Sequence, residues 1–126
     1  MPITVSRKVF ARLVEEALAS IPDPLRARMD NVGILIEEWP TREQVEEAGV
    51  EPDDLLFGLY EGTPLIERGI LADPLLPDRI SIFRGPLTEA CDSEEEIREE
   101  VRRTVIHEVA HHFGLDEDAL AELGYD

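Results

Sequence analysis

The chain has 126 residues and 43% of them are hydrophobic, which suits one domain with a modest core and argues against a disordered chain. Twelve basic residues against 29 acidic ones give a formal net charge of −17, which argues against nucleic acid and anionic membranes as partners because both are negatively charged. Cys91 is the single cysteine, so no disulfide forms within the chain, and the sequence has no signal-peptide or membrane-spanning run; we therefore expect a cytoplasmic protein.

The N-terminal part predicts a helix followed by a strand. Ser6 can cap a helix whose apolar residues recur at helical spacing, and Pro22 and Pro24 end it. After the turn signal Asp30-Asn31, residues 32–36 are short, β-branched and bounded by breakers. They predict a buried strand.

The middle of the chain predicts a short helix, a strand and a long loop. Thr41 and Gln44 have the spacing of a capping box, which opens a helix that stops near Gly49. Residues 55–60 predict a second strand. Residues 62–77 are interrupted by glycines and prolines too often for regular structure, so we predict a loop there.

The next segment predicts a third strand and the start of the longest helix. Residues 79–84 alternate polar and apolar side chains, as expected of an edge or half-buried strand, and Gly85-Pro86 ends it. Ser93 then caps a helix, with Glu96 at the reciprocal position of the capping box.

This helix should run to Phe113 and stop at Gly114, a residue suited to the left-handed conformation after a helix end. Residues 116–123 predict one more short helical stretch. No linker is long enough to divide the chain, so residues 1–126 form one α+β domain with a small sheet and helices packed on it.

The three histidines of the chain lie within six residues of one another, at His107, His111 and His112. Residues four apart share one helix face on neighbouring turns, so His107 and His111 can direct their imidazoles at one zinc ion. Glu108 is rotated by about 100° from His107. Its carboxylate therefore lies beside the metal, where it can take a proton from bound water.

The remaining side chains of this helix support a metal site. One continuous apolar arc is formed by Val105, Ile106, Val109, Ala110 and Phe113. The histidines, Thr104 and Glu108 fill the complementary arc, which must face a cleft, solvent or another polar layer. The alternative is a solvated helix face whose histidines bind nothing.

A zinc site that keeps one position open for water needs a third protein ligand. The spacing His107-Glu108-x-x-His111-x-x-Gly114-x-x-Glu117 matches an extended pattern in which the glycine turns the chain back to present that ligand. Glu117 occupies the ligand position, where histidine or aspartate is usual. Asp116 and Asp118 are alternatives, and in a further alternative these three carboxylates only cap the final helix.

Two other residues could act near the metal. His112 could donate a hydrogen bond in the transition state or contact a ligand, but we expect it at the surface or at the edge of the core. Tyr125 could serve as an oxyanion donor, although a disordered tail is the expected state of the C-terminus.

Residues 56–65, 80–87 and 104–115 resemble the small zincin-like metallopeptidase family of bacteria, which is common in actinobacteria and was formerly filed as a domain of unknown function. The resemblance implies a minimal zincin-like fold, with an N-terminal helix, a small mixed sheet and a C-terminal active-site helix carrying the His-Glu-x-x-His motif. It also implies that His107 and His111 bind one zinc ion per chain and that Glu108 is the general base. In zincins, a strand beside that helix pairs with an extended peptide, and residues 80–83 are our candidate.

We therefore expect a zinc-dependent metallopeptidase acting on peptides or unstructured protein segments, in which a zinc-activated water attacks and Glu108 is the general base. One alternative is a non-catalytic module of the same fold that holds metal weakly or not at all. The acidic residue Glu117 as third ligand and the short sequence after it favour that alternative. Metal-dependent hydrolysis of a bond other than a peptide is a third hypothesis.

Overall fold

The structure is a computed structural model that describes residues 4–29, 32–50, 54–62, 78–112 and 114–122, without the side chains of Pro24, Arg28, Glu117 and Leu120. The described helices are α1 (Arg7–Ala19), α2 (Asp23–Arg26), α3 (Arg42–Ala48), α4 (Arg84–Ala90), α5 (Glu94–His112) and α6 (Glu117–Glu122). A 3-10 turn, Ala27–Met29, follows α2. The described strands are β1 (Val32–Glu37), β2 (Gly58–Glu61) and β3 (Asp78–Phe83). Most of the loop predicted over residues 62–77 lies outside the described residues.

The helix starts predicted in the first half of the chain are confirmed. Ser6 accepts a hydrogen bond from the backbone N–H of Val9 at 3.2 Å, which satisfies one of the donors left open at the start of α1. Thr41 and Gln44 form both bonds of a capping box at the start of α3. α3 ends at Gly49, whose φ of 72° places it in the left-handed region that glycine adopts without strain.

β1 lies at one edge of the described sheet, so its prediction as a buried strand is wrong. The described strands follow the order β1-β3-β2, with β1 parallel and β2 antiparallel to β3. Alternate side chains of β1, such as Ile34, pack against the core, whereas Leu35 points the other way and is 43% exposed. A continuous apolar run does not show whether both faces of a strand are covered.

β3 is the central strand of the described sheet, which corrects the prediction of an edge or half-buried strand. Ile80 and Ile82 are fully buried in the main core. Ser81 and Phe83, on the opposite face, are also fully buried, and Phe83 joins a second apolar cluster together with Leu59. The polar position that suggested exposure is Ser81, whose hydroxyl donates to a Glu37 carboxylate oxygen at 3.4 Å.

α4 was not predicted, because Gly85-Pro86 was interpreted only as the end of a strand. Pro86 stands in the first turn of this helix, where a backbone N–H has no intrahelical partner and proline is tolerated. Cys91 follows α4 and is 2% exposed. Burial raises the pKa of its thiol to about 11, so the side chain is an inert core residue and not a reactive thiolate.

α5 has the predicted start and the predicted glycine end. Ser93 accepts from the backbone N–H of Glu96 at 3.1 Å, while the Glu96 carboxylate accepts from Asp92 N–H at 2.6 Å and not from Ser93 as predicted. The helix ends at His112, and Gly114 follows with a φ of 68°. Phe113 lies outside the described residues.

α5 packs its apolar face against α1 and the sheet. Its buried residues are Ile97, Val101, Val105, Ile106, Val109 and Ala110. All of them except Ala110 form one core cluster with the buried residues of α1, such as Phe10 and Leu13, and with Ile80 and Ile82 of β3. In the described part of the chain, no helix is long and apolar enough to cross a membrane. The predicted α+β architecture with a small mixed sheet is confirmed.

Candidate active site

An open cleft with a volume of about 1290 Å³ runs along α5, between this helix, β2 and the end of α3. Its apolar lining comes from Val50, Leu56 and Phe57 on one side and from Ile106 on the helix. The polar lining from α5 includes the three histidines and Glu108. The polar arc predicted from the sequence therefore faces a cleft.

Packing on the far side of α5 determines which way the His107 and His111 side chains point. Val105 and Val109 are fully buried and Ala110 is 4% exposed. These residues hold the apolar arc in the core, so the opposite arc, with His107 and His111, is exposed and lines the cleft. Two imidazoles from neighbouring turns on one cleft wall are an arrangement that can supply two zinc ligands.

Glu108 is joined directly to strand β2. The backbone N–H of Tyr60 donates a hydrogen bond to Glu108 Oε1 at 3.1 Å. This bond holds the half-buried carboxylate at the cleft wall formed by β2. Glu108 directly follows His107 and lies on the neighbouring arc of the helix. A carboxylate held at this wall lies where a general base beside a bound metal would act.

In the described sheet, β2 lies at an edge and turns its side opposite β3 toward the cleft. Phe83 N–H donates to Phe57 O at 2.9 Å, and the register then pairs Leu59 with Ser81. Because alternate residues of an antiparallel strand direct their backbone groups to opposite sides, Gly58 and Tyr60 direct theirs away from β3. Our candidate for the peptide-pairing strand, residues 80–83, is therefore wrong, since that segment is paired with β1 on one side and with β2 on the other.

His112, the third histidine of α5, packs against Tyr60. The two rings are stacked, with centroids 3.9 Å apart and planes inclined by 16°. The Tyr60 hydroxyl donates to Asp78 Oδ2 at 2.8 Å, and His112 Nε2 lies 3.6 Å from the same oxygen. His112 is thus a partly exposed residue at the edge of the core, as predicted, with defined partners on β2 and β3.

The prediction of Glu117 as the third metal ligand stays a prediction, because its side chain lies outside the described part of the structure. Its backbone begins α6 two residues after Leu115, whose N–H donates to Ala110 O at 2.8 Å in the turn that follows α5. Asp116 caps α6 by accepting from Ala119 N–H at 2.8 Å. Among the described side chains, no group of three or more His, Cys, Asp or Glu residues could hold a metal ion. Tyr125 also lies outside the described residues.

Tyr60 and Asp78 are the site residues that sequence reasoning missed. Tyr60 lies in a strand that was predicted, but its role depends on which strand lies beside α5, and no local pattern contains that information. Asp78 lies between the predicted loop 62–77 and the predicted strand 79–84, and the sequence assigned it to neither; in the structure it opens β3. The signal in the sequence was an aspartate next to a predicted strand. It is weak, because the sequence does not show which residue of the neighbouring strand lies near it.

The far end of the cleft carries charges of both signs. Arg102 and Arg103 line it and each lies within 4 Å of Glu99, at 3.9 Å and 3.8 Å respectively. Exposed pairs of this kind contribute about 0–1 kcal/mol, so they are too weak to fix the side chains in one position.

Gly58 allows β2 to approach α5 closely, and we expect Gly58→Ala to lower the free energy of unfolding by about 1–3 kcal/mol. A Cβ at this position would lie 2.7 Å from Thr104 Cγ2 and 3.0 Å from the carbonyl oxygen of Ser81. Gly33→Ala is the matched control in β1, because among the described residues its new Cβ would meet no atom closer than the Asp78 carbonyl oxygen at 3.9 Å. Denaturant unfolding measures both variants.

Adding Thr104→Ala to the Gly58→Ala variant removes the Cγ2 atom and should recover part of the lost free energy. Equal free energies of unfolding for Gly58→Ala and Gly33→Ala would show that the close contact of β2 with α5 is not a constraint.

Comparisons with known proteins agree with this architecture. Among solved structures, the fold is similar to that of a conserved hypothetical protein from Thermo thermophilus, with 23% identical residues, a TM-score of 0.58 and an alignment covering 93% of this chain and 98% of that chain. At this identity the likeness shows the fold alone. No curated protein matches the sequence. The model of the zincin-like metallopeptidase family matches residues 29–125, and the chain therefore belongs to the zincin-like metallopeptidase family.

Proposed function

We propose that this protein is a zinc-dependent metallopeptidase in which His107 and His111 bind the metal and Glu108 is the general base. The observation that carries the proposal is the position of the Glu108 carboxylate. It is bonded to the outward-facing backbone of β2 in the same cleft that exposes the two histidines. The family to which the chain belongs is consistent with this activity.

The described residues supply two of the three protein ligands that a catalytic zinc site needs, and Glu117 would supply the third. His107 and His111 offer two neutral imidazole nitrogens from one helix face, and Glu117 follows the glycine turn at the position expected for the third ligand. Zinc bound there would polarise a carbonyl and lower the pKa of a coordinated water to about 7. Glu108, held at the cleft wall by Tyr60, would accept a proton from that water and return it to the departing amine.

We infer that the substrate is an extended peptide or an unstructured protein segment. The backbone N–H and carbonyl of Gly58 face away from β3, so they can pair with the main chain of an added strand, while the Tyr60 N–H stays bonded to Glu108. A globular substrate would not enter this way, because its backbone groups are already paired. The half-buried and buried side chains Val50, Leu56 and Phe57 provide apolar contacts beside that strand.

The proposal is tested by measuring zinc content and peptide cleavage on the same preparation. After zinc addition and dialysis at neutral pH, we expect about one zinc ion per chain, and this zinc should be lost in His107→Ala and in Glu117→Ala. Glu95→Ala, an exposed position on the same helix, is the control and should keep its zinc. Cleavage is then assayed with a library of quenched fluorescent peptides.

The outcomes separate the hypotheses formed from the sequence. Zinc bound through His107 together with cleavage supports the peptidase. Zinc bound without cleavage of any peptide would contradict the enzyme proposal and favour a binding module of the same fold. Equal zinc content in His107→Ala and in the unaltered chain would show that these histidines do not form the metal site.

A further inference from the structure

Tyr60 touches three different parts of the candidate active site. Its backbone N–H donates to Glu108 at 3.1 Å, its ring stacks on His112 with a centroid distance of 3.9 Å, and its hydroxyl donates to Asp78 at 2.8 Å. Asp78 opens β3, so the tyrosine connects the last turns of α5 to two neighbouring strands. In this way one residue contacts both the proposed general base and the residue next to a proposed metal ligand.

The last turn of α5 depends on contacts of this kind. His111 and His112 are the last two residues of the helix, where carbonyl groups have no intrahelical partners and helices fray. The backbone bonds that close the turn run from Gly114 N–H to His111 O at 3.3 Å and from Leu115 N–H to Ala110 O at 2.8 Å. They fix the path of the chain, while Val109 and Ala110 hold the opposite side of this turn in the core.

The backbone at the end of β2 approaches the same turn. A Cβ built on Gly62 would lie 3.1 Å from His112 Cε1 and 3.5 Å from Asp78 Oδ1. The His112 ring therefore stacks on the Tyr60 ring and lies close to Gly62 and to the Asp78 carboxylate. This packing orients the helix turn that carries His111.

We propose that Tyr60 is a positioning residue, which holds Glu108 through its backbone and fixes the metal-binding end of α5 through the stack of its ring on His112. This inference rests on the proposed function, because it concerns how the residues of that site are oriented. At the other end of the ring the hydroxyl donates to the Asp78 carboxylate, and the proposal assigns the positioning to the stack and not to this bond. Tyr60 itself contacts neither the metal nor the reacting atoms in this proposal.

Two substitutions of Tyr60 separate the ring from the hydroxyl group. Tyr60→Leu keeps an apolar side chain and the backbone N–H but removes the stack, so we expect zinc affinity and kcat each to fall by about 10–100-fold, the usual effect of losing a residue that orients a metal ligand. KM should change much less, since the outward-facing backbone of β2 is retained. Tyr60→Phe keeps the ring, so its zinc affinity and kcat should stay near the values of the unaltered chain.

A readout in the metal-free protein is independent of activity. The ring protons of His112 lie over the face of Tyr60 and should show an upfield NMR shift, which Tyr60→Phe preserves and Tyr60→Leu removes. Leu18→Ala is the matched control for general destabilisation, because Leu18 is half-buried against the same core but belongs to α1. It should leave the His112 shift and the zinc affinity unchanged.

Several results would overturn the positioning role. If Tyr60→Leu and Leu18→Ala have the same zinc affinity and the same kcat, the Tyr60 ring contributes only to stability. If Tyr60→Phe and Tyr60→Leu lose zinc affinity and kcat to the same extent, the stack on His112 does not position the site. An unaltered chain that neither binds zinc nor cleaves peptides would remove the proposed function and this inference together, whereas a fully active Tyr60→Leu would remove this inference alone.

Discussion

Glu108→Gln is expected to reduce the kcat/KM of peptide cleavage by about 10²–10⁴-fold, the contribution usual for general acid–base catalysis, while zinc remains bound. Glutamine has nearly the same shape as glutamate, and its side-chain oxygen can still accept the Tyr60 N–H bond seen at 3.1 Å. It cannot accept a proton from water. The substitution therefore removes the proposed chemistry and leaves the local geometry in place.

The matched control is Glu95→Gln, which neutralises an exposed carboxylate in the first turn of α5, far along the helix from the histidines. Both variants change the net charge by the same amount, so any effect of long-range electrostatics is common to them. Zinc content is measured on every preparation used for kinetics. Full activity in a zinc-loaded Glu108→Gln protein would rule out Glu108 as the general base.

Phe10→Ala should lower the free energy of unfolding by about 3–5 kcal/mol. Phe10 lies on α1, is fully buried and belongs to the same core cluster as Val101, Val105 and Val109 of α5. Removing the ring leaves a cavity between the two helices, which the surrounding side chains fill only in part. Because domains are stable by about 5–15 kcal/mol in total, this loss is a large share of what holds α5 in place.

Lys8→Ala is the control for Phe10→Ala, because Lys8 lies two residues earlier on α1 and is exposed. Its free energy of unfolding should stay within about 0.5 kcal/mol of the original value. Chemical denaturation with both variants measures the difference. A Phe10→Ala protein as stable as Lys8→Ala would mean that α1 does not support the active-site helix.

The helix starts were predictable from the sequence because a cap acts within three or four residues. Ser6, Thr41 and Ser93 each accept the backbone hydrogen bond expected from their spacing to the following helix. The face of α5 that carries the motif was predictable for a similar reason. Helical periodicity assigns Val105 and Val109 to one side and His107 and His111 to the other, and burial confirms the first pair as core.

Strand positions within the sheet were not predictable in the same way. The apolar run 32–36 and the alternating segment 79–84 suggested a buried strand and an edge or half-buried strand, but the structure reverses their positions. Whether Leu35 is covered depends on which elements lie over that face. Ser81 is buried because β3 lies between β1 and β2, where the distant Glu37 accepts its hydroxyl hydrogen bond. Both are contacts between residues far apart in the chain.

The sequence by itself determined the chemistry available to this protein: two imidazoles and a carboxylate on one arc of a helix, with a glycine after the helix and acidic residues beyond it. These features follow from the helical repeat and from capping, which are local. Only the tertiary structure decided that β2 lies beside that arc, that Tyr60 holds Glu108 and packs on His112, and that the central β3 is unavailable to a peptide. The physical reason is that strand order and register follow from the burial of apolar surface between distant segments, which no short stretch of sequence specifies.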